Sequence, residues 1–197
     1  GLVLSRFDAE PALVGKSVAE IAAARGRDPV RVYLDLINQS IAAGAVQRVF
    51  GTSMRDDDVA AVLSWSQTSI CSDGAMDDPH PRGAGAFART WRLLRSGPGA
   101  LPVETVIRKM SGLAADHLGL TDRGYLRPGF AADLVLLDPE RYRDRATLAA
   151  PGLRAEGVAA VWVNGDLAWE LDRATGRLPG RPLKRASSTP FTPGTGP

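Results

Sequence analysis

The hydrophobic period of this chain changes once, just after Leu120. Before that point apolar residues recur at intervals of three and four, the spacing of one helix face. After it they come in short runs closed by Pro-Gly and Asp-Pro turns, the spacing of strands. Neither an all-helical nor an all-β domain accommodates both halves, so the predicted class is α/β with a separate β segment. Strands are expected at Gly124–Leu126, Asp133–Leu137 and Val158–Val163. Asn164-Gly165, set between Val158–Val163 and Leu167–Glu170, is the strongest hairpin signal in the chain, because a two-residue type I′ turn needs positive φ at both positions. The run Gly129-Phe130-Ala131-Ala132-Asp133 reads as a tight packing turn rather than a binding loop. From Ala186 to Pro197 the composition is Ser, Thr, Pro and Gly around one Phe, which predicts disorder.

The earlier part reads as alternating helices and strands. Ser17 and Glu20 have capping-box spacing for a helix that ends at Gly26. Asp28-Pro29 starts a longer helix ending at Gly44, with Val30, Tyr33, Leu34, Ile37 and Ile41 as its expected buried face. Val46–Phe50 and Thr68–Cys71 read as strands on either side of a helix at Val59–Trp65, the pattern of a parallel sheet. Asp56, Asp57 and Asp58 suit that helix's positive end better than a metal ion. Helices are also predicted at Ala84–Arg95, with Phe87, Trp91 and Leu94 inward, and at Pro102–Met110, with Val103, Val106, Ile107 and Met110 inward. A short one follows at Ala114–Leu118, with His117 in a structural role. Gly15-Lys16-Ser17 lacks the upstream glycine of a phosphate-binding loop.

The chemistry-bearing stretch is Thr68–Arg82, which passes from a short β-prone run through Ser72-Asp73-Gly74 to His80-Pro81-Arg82. A carboxylate at the end of a buried strand is well held, and at strand C-termini of a β/α barrel it faces the active site. From the tripeptide alone the plainer reading is a turn-capping Asp. The second polar cluster on the same rim shifts the balance toward function.

S-D-G, a short polar loop, then H-P-R-G and an aromatic helix resembles the last barrel strand of the N-acyl-D-amino-acid deacylases (D-aminoacylases), within the metal-dependent amidohydrolase superfamily. The resemblance extends through Ser53-Met54-Arg55-Asp56-Asp57-Asp58-Val59 and Ile107-Arg108-Lys109-Met110, then Asp122-Arg123-Gly124, Gly129–Val135 and Val163-Asn164-Gly165, ending near Pro179-Gly180-Arg181. It implies the C-terminal portion of a TIM-like (β/α)8 barrel over residues 1–120, including an inserted helical segment, and the C-terminal half of a small β-sandwich over 121–185. It also assigns Asp73 as the general acid/base, with Arg82 gripping a substrate α-carboxylate. His80 either assists substrate binding or supports the loop, and loop support is preferred. The implied cofactor is zinc. Its ligands, a barrel-strand Cys and several His in the family, are not expected in this chain, where Asp73 is at most a weak ligand. Where the family tends to have Lys-Met-Thr and Leu-Pro-Ala, this chain reads Lys109-Met110-Ser111-Gly112-Leu113-Ala114.

Composition bounds the rest. At 197 residues the chain is shorter than the ~250 of a full barrel, and it opens on Gly1 in a strand-like run. It is therefore read as a piece of a longer enzyme whose N-terminal portion is its expected partner. Net charge is +2 with scattered Arg, which does not suggest nucleic-acid binding. No run reaches the ~18 apolar residues of a membrane span, and a single Cys71 excludes an internal disulfide and suits the cytoplasm. The expected substrate is a small N-acyl amino acid. The rival enzyme is a cyclic-amide amidohydrolase of hydantoinase or dihydropyrimidinase type, which needs no cation for a free carboxylate. The rival outside enzymes is a non-catalytic truncated remnant.

Overall fold

The computed structural model describes residues 1–74, 80–96 and 99–183, in two compact units. The first contains Gly1–Val59, Ser72–Ala86 and Arg145–Arg154; the second contains Ala60–Cys71, Phe87–Asp144 and the chain from Ala155. The stretch from Ala186, expected to be disordered, lies outside the described residues.

In the first unit, β1 (Leu2–Phe7) pairs antiparallel with β2 (Gln47–Gly51), Val3 opposite Phe50 and Leu4 opposite Val49. A bulge between Leu4 and Arg6 keeps both Leu4 and Phe7 in the core. A 3-10 turn at Pro11–Leu13 and two helices connect the strands. Helix α1 (Val18–Arg25) begins on the expected capping box: the Ser17 hydroxyl accepts from the Glu20 amide at 3.1 Å and the Glu20 carboxylate accepts from the Ser17 amide at 2.7 Å. Helix α2 (Pro29–Ala43) begins on Asp28, whose carboxylate accepts from the Arg31 amide at 3.0 Å, and ends on left-handed Gly44.

The buried face of α2 differs from the expected one. Val32, Leu36 and Ser40 are buried, whereas Val30, Leu34 and Ile41 are exposed. Apolar residues run around most of this helix, so periodicity alone did not single out a face. The core it joins, Leu4, Phe7, Leu13, Ile21 and Ala22, takes the i, i+4, i+8 row from Val32. Each fully buried aliphatic or aromatic side chain there contributes roughly 1.5–3 kcal/mol.

The parallel βαβ expectation is also corrected. The partner of β2 is β1 and the pair is antiparallel, while Thr68–Cys71 forms no ladder. Helix α3 (Asp56–Ser64) lies between them, its first turn acidic as expected. The Asp58 carboxylate caps the Arg55 amide at 3.0 Å and Asp57 pairs with the Arg55 guanidinium at 3.1 Å.

The second unit holds the end of α3, most of α4 (Arg82–Arg95), then α5 (Val103–Met110), α6 (Gly112–Leu118) and a four-stranded sheet. Its apolar cluster is Trp91, Leu94 and Val106, with Tyr142 edge-on to Trp91 at 5.8 Å. Phe87 and Ile107, expected inward, are partly exposed. Lys109 takes a buried position instead. Its ammonium donates to the carbonyls of Trp65 at 2.5 Å and Thr68 at 3.0 Å, and its own carbonyl accepts from the Ile70 amide at 3.0 Å. These bonds tie the turn after Trp65 and the irregular run from Thr68 to Ile70 to α5, without a strand partner. Burial, and secondarily the charge of Arg108, lower the pKa of that ammonium.

A break at Ser111 separates α5 from α6, and Gly112 lies under the Tyr125 ring, where a Cβ would come within 2.6 Å of it. Gly124–Leu126, predicted as a strand, is irregular. Gly124 has φ of +88° and sits against Ala115, leaving no room for a ladder.

The sheet runs β3 (Leu134–Leu137), β4 (Val158–Val163), β5 (Asp166–Glu170) and β6 (Arg173–Ala174), all antiparallel. Asn164 (φ +50°) and Gly165 (φ +87°) form the expected turn between β4 and β5. The predicted packing turn before β3 is knitted by charge. Arg123 is buried, donates to Asp122 at 3.2 Å, and makes a short ion pair with Asp133. The other Asp133 oxygen accepts from the Asn164 amide at 2.7 Å, so one carboxylate ties the turn to the hairpin.

Strand β3 is apolar throughout and lies at the edge of its sheet, with Val135 and Leu136 more than half exposed. Such an edge templates pairing with another strand. The chain is therefore expected to associate as its concentration rises, and Val135→Lys to shift it toward single chains. Sedimentation of both proteins over a concentration series checks this; equal association would place the contact elsewhere. Among the described residues no helix is long and apolar enough to cross a membrane.

Candidate active site

Ser72-Asp73-Gly74 and His80-Pro81-Arg82-Gly83 both lie in the first unit. The residues between Gly74 and His80 are outside the described set. Asp73 adopts the left-handed region with φ of +46°, which Asp tolerates better than most residues because its short side chain bonds locally. The positive φ of this turn is thus carried by Asp73 and not by Gly74. Gly74 has a different function: a Cβ there would stand 2.4 Å from the Gly83 Cα and 3.0 Å from its nitrogen. The two segments touch backbone to backbone, a contact only glycine permits.

That contact brings the two predicted functional groups together. Arg82 Nη1 lies 3.1 Å from Asp73 Oδ2. The carboxylate remains largely open to solvent, with its side chain 80% exposed against 43% for Arg82. A solvent-facing carboxylate can exchange protons with a ligand, and a guanidinium has five donors in a planar fork, enough to hold more than one carboxylate.

His80 precedes the first turn of α4. Its Nδ1 accepts the Arg82 amide at 3.0 Å and its carbonyl accepts the Gly83 amide at 3.3 Å, while the Pro81 carbonyl accepts from Gly85 at 2.8 Å. The imidazole therefore occupies one of the helix's otherwise orphaned amides. Phe50, from β2, packs against the same ring at 4.8 Å between centroids and 79° between planes. Phe50 was missed by sequence reasoning, because a strand aromatic read alone looks like core.

The described residues do not make a metal centre. Among them no three His, Cys, Asp or Glu side chains converge. Cys71 is exposed, Asp57 and Asp58 are engaged with Arg55, and His117 Nδ1 lies 3.1 Å from the Ser69 hydroxyl in the second unit.

This chain is 38% identical over 184 residues to the N-acyl-D-aspartate deacylase of Alcaligenes xylosoxydans xylosoxydans, covering 92% of this chain and 35% of that protein. Among solved structures it is similar to a D-aminoacylase studied for its binuclear metal centre, at 35% identity and a TM-score of 0.74 over 89% of this chain and 36% of the other. It is also similar to the N-acyl-D-glutamate deacylase of Bordetella bronchiseptica, solved with zinc and a phosphonate mimic of the reaction's tetrahedral intermediate. There the identity is 32% and the TM-score 0.71, over 94% of this chain and 37% of that one. The chain thus spans about a third of the length of the relatives it matches. Residues 1–168 match the profile of the Amidohydrolase family, and with the mixed α/β fold and these relatives in hand, the chain belongs to that family.

Proposed function

We propose that this chain is the part of a metal-dependent N-acyl-D-amino-acid deacylase that carries its proton-transfer residue and its carboxylate grip. Asp73 takes a proton from the attacking water and returns it to the leaving nitrogen as the amide C–N bond breaks. Arg82 binds the α-carboxylate of the substrate and so orients the scissile amide over Asp73. The observation that supports this most directly is the glycine contact that sets a solvent-facing carboxylate 3.1 Å from a guanidinium. Substrate class follows from the relatives, two of which are named for N-acyl-D-aspartate and N-acyl-D-glutamate.

In this reading residues 1–120 are the C-terminal part of a β/α barrel and 121–185 half of a small β-sandwich. The N-terminal remainder of the polypeptide holds the zinc ligands, and the enzyme works in the cytoplasm. The sandwich assignment accounts for the apolar, half-exposed edge strand β3.

The test is Arg82→Ala in the complete enzyme, with an N-acetyl-D-amino acid and its C-terminal amide as paired substrates. Loss of a charge-assisted contact should raise KM for the acid roughly 10- to 100-fold and leave kcat less affected. The amide, having no carboxylate to bind, should change little. Equal loss on both substrates would remove Arg82 from carboxylate recognition and favour a cyclic-amide hydrolase.

A further inference from the structure

We propose that Phe50 is a positioning residue for Arg82, acting through the His80 imidazole; this rests on the reading of Arg82 as the carboxylate grip. Three observations carry the inference, all within the first unit. The Phe50 ring stands edge-to-face with the His80 ring at 4.8 Å. The same imidazole accepts the Arg82 backbone amide on Nδ1 at 3.0 Å. The Arg82 guanidinium then reaches Asp73 at 3.1 Å.

The hydrogen bond fixes the chemistry of the ring. An Nδ1 that accepts carries a lone pair, so the proton of the neutral imidazole is on Nε2. An imidazole can turn about its bond to Cβ, and the turn would withdraw Nδ1 from the Arg82 amide. Phe50 packs against one side of the ring and the amide holds its Nδ1, which leaves a single orientation. Phe50 is half-buried and lies outside the cluster of Leu4, Phe7, Ile21, Val32 and Leu36 that forms this unit's core. Its ring is therefore spent on the site loop rather than on the core. By this route β2 sets the start of α4, and with it the place from which the Arg82 side chain extends.

The experiment compares Phe50→Leu, His80→Asn and His80→Leu in the complete enzyme. One readout is hydrogen exchange at the Arg82 amide. The other is KM and kcat for an N-acetyl-D-amino acid and its C-terminal amide. In Phe50→Leu, exchange at Arg82 should quicken roughly 2- to 10-fold, the factor an edge-to-face aromatic pair carries. KM for the acid should rise by a similar factor, with kcat within twofold and the amide unaffected. A purely structural role for Phe50 would lower the amount of active enzyme and leave KM alone. His80→Asn, whose side-chain oxygen can still accept the amide, should keep Arg82 protected, whereas His80→Leu should expose it.

Parental exchange and KM in Phe50→Leu would overturn the proposal. Should Phe50→Leu fail to fold, unchanged Arg82 exchange in His80→Leu would overturn it equally. If the parent itself does not distinguish acid from amide, the carboxylate reading of Arg82 falls. Exchange at Arg82 still decides whether Phe50 and His80 position it.

Discussion

Asp73→Asn in the complete enzyme is expected to lower kcat by about 10²- to 10⁴-fold, the usual worth of a positioned acid/base, with KM changed only slightly. Asn is nearly isosteric with Asp and accepts the left-handed backbone that Asp73 adopts at φ +46°. The turn, the contact of Gly74 with Gly83 and the helix start at His80 therefore survive the substitution. What disappears is the ability to take a proton. Arg82, which meets Asp73 across 3.1 Å, still finds an amide oxygen, so under the proposed function the substrate's carboxylate keeps its partner. Steady-state kinetics with an N-acyl-D-amino acid, alongside circular dichroism and metal content, separate a chemical loss from a folding one. A kcat within a few-fold of the parent, in a folded and metal-loaded protein, would make Asp73 a turn residue only.

The second large effect concerns stability and lies in the other unit. Asp133→Ala is expected to cost about 2–4 kcal/mol, less than the full cost of breaking a buried pair because Asp122 remains beside Arg123. The loss has two parts. Arg123, buried, keeps Asp122 as its one acidic partner among the described residues, half exposed, and the Asn164 amide at the hairpin loses the oxygen it donates to at 2.7 Å. Urea denaturation of parent and variant measures the difference; a change below about 1 kcal/mol would mean that the turn is held by its backbone bonds alone. The same cluster has an acid dependence of known sign. The hydrogen bond from Arg123 holds the Asp122 carboxyl below the usual range. Its contribution is complete above the unfolded Asp value of ~3.9 and fades as the pH falls through the lower folded value.

What could be read from the sequence was mostly local. The capping box at Ser17, the Asp28-Pro29 start and the Asn164-Gly165 turn each depend on residues within a few positions of one another, and each is present. The motifs also carried the family. What escaped depended on distant partners. The inward face of α2 was chosen by the β1 core rather than by its own period. The irregular run before Asp73 is tied down through two side-chain bonds and one backbone bond by Lys109, a residue whose charge argued for the surface. The sixth strand follows a turn through Leu171 and Asp172, both at positive φ, where a leucine gives no turn signal. Within the candidate site, Asp73, His80 and Arg82 were all nominated and placed on one rim, yet neither the Gly74–Gly83 contact that joins them nor the packing of Phe50 could be read. The first is a backbone contact across a short loop, which residue types do not announce, and the second joins β2 to a segment distant in the chain.

The meeting of Gly74 with Gly83 has a consequence for anyone wishing to retune the proposed site. Directed-evolution libraries usually saturate positions that flank a reactive group, and residue 74 is the immediate neighbour of Asp73. Here that choice spoils most of the library, because every side chain at 74 begins with a carbon that collides with the Gly83 backbone at 2.4 Å. The clones lost would be those in which the carboxylate and the guanidinium have been wedged apart, whatever the new side chain offers. Diversity is better placed on β2, where Phe50 meets the site loop through a ring and leaves the backbone junction intact.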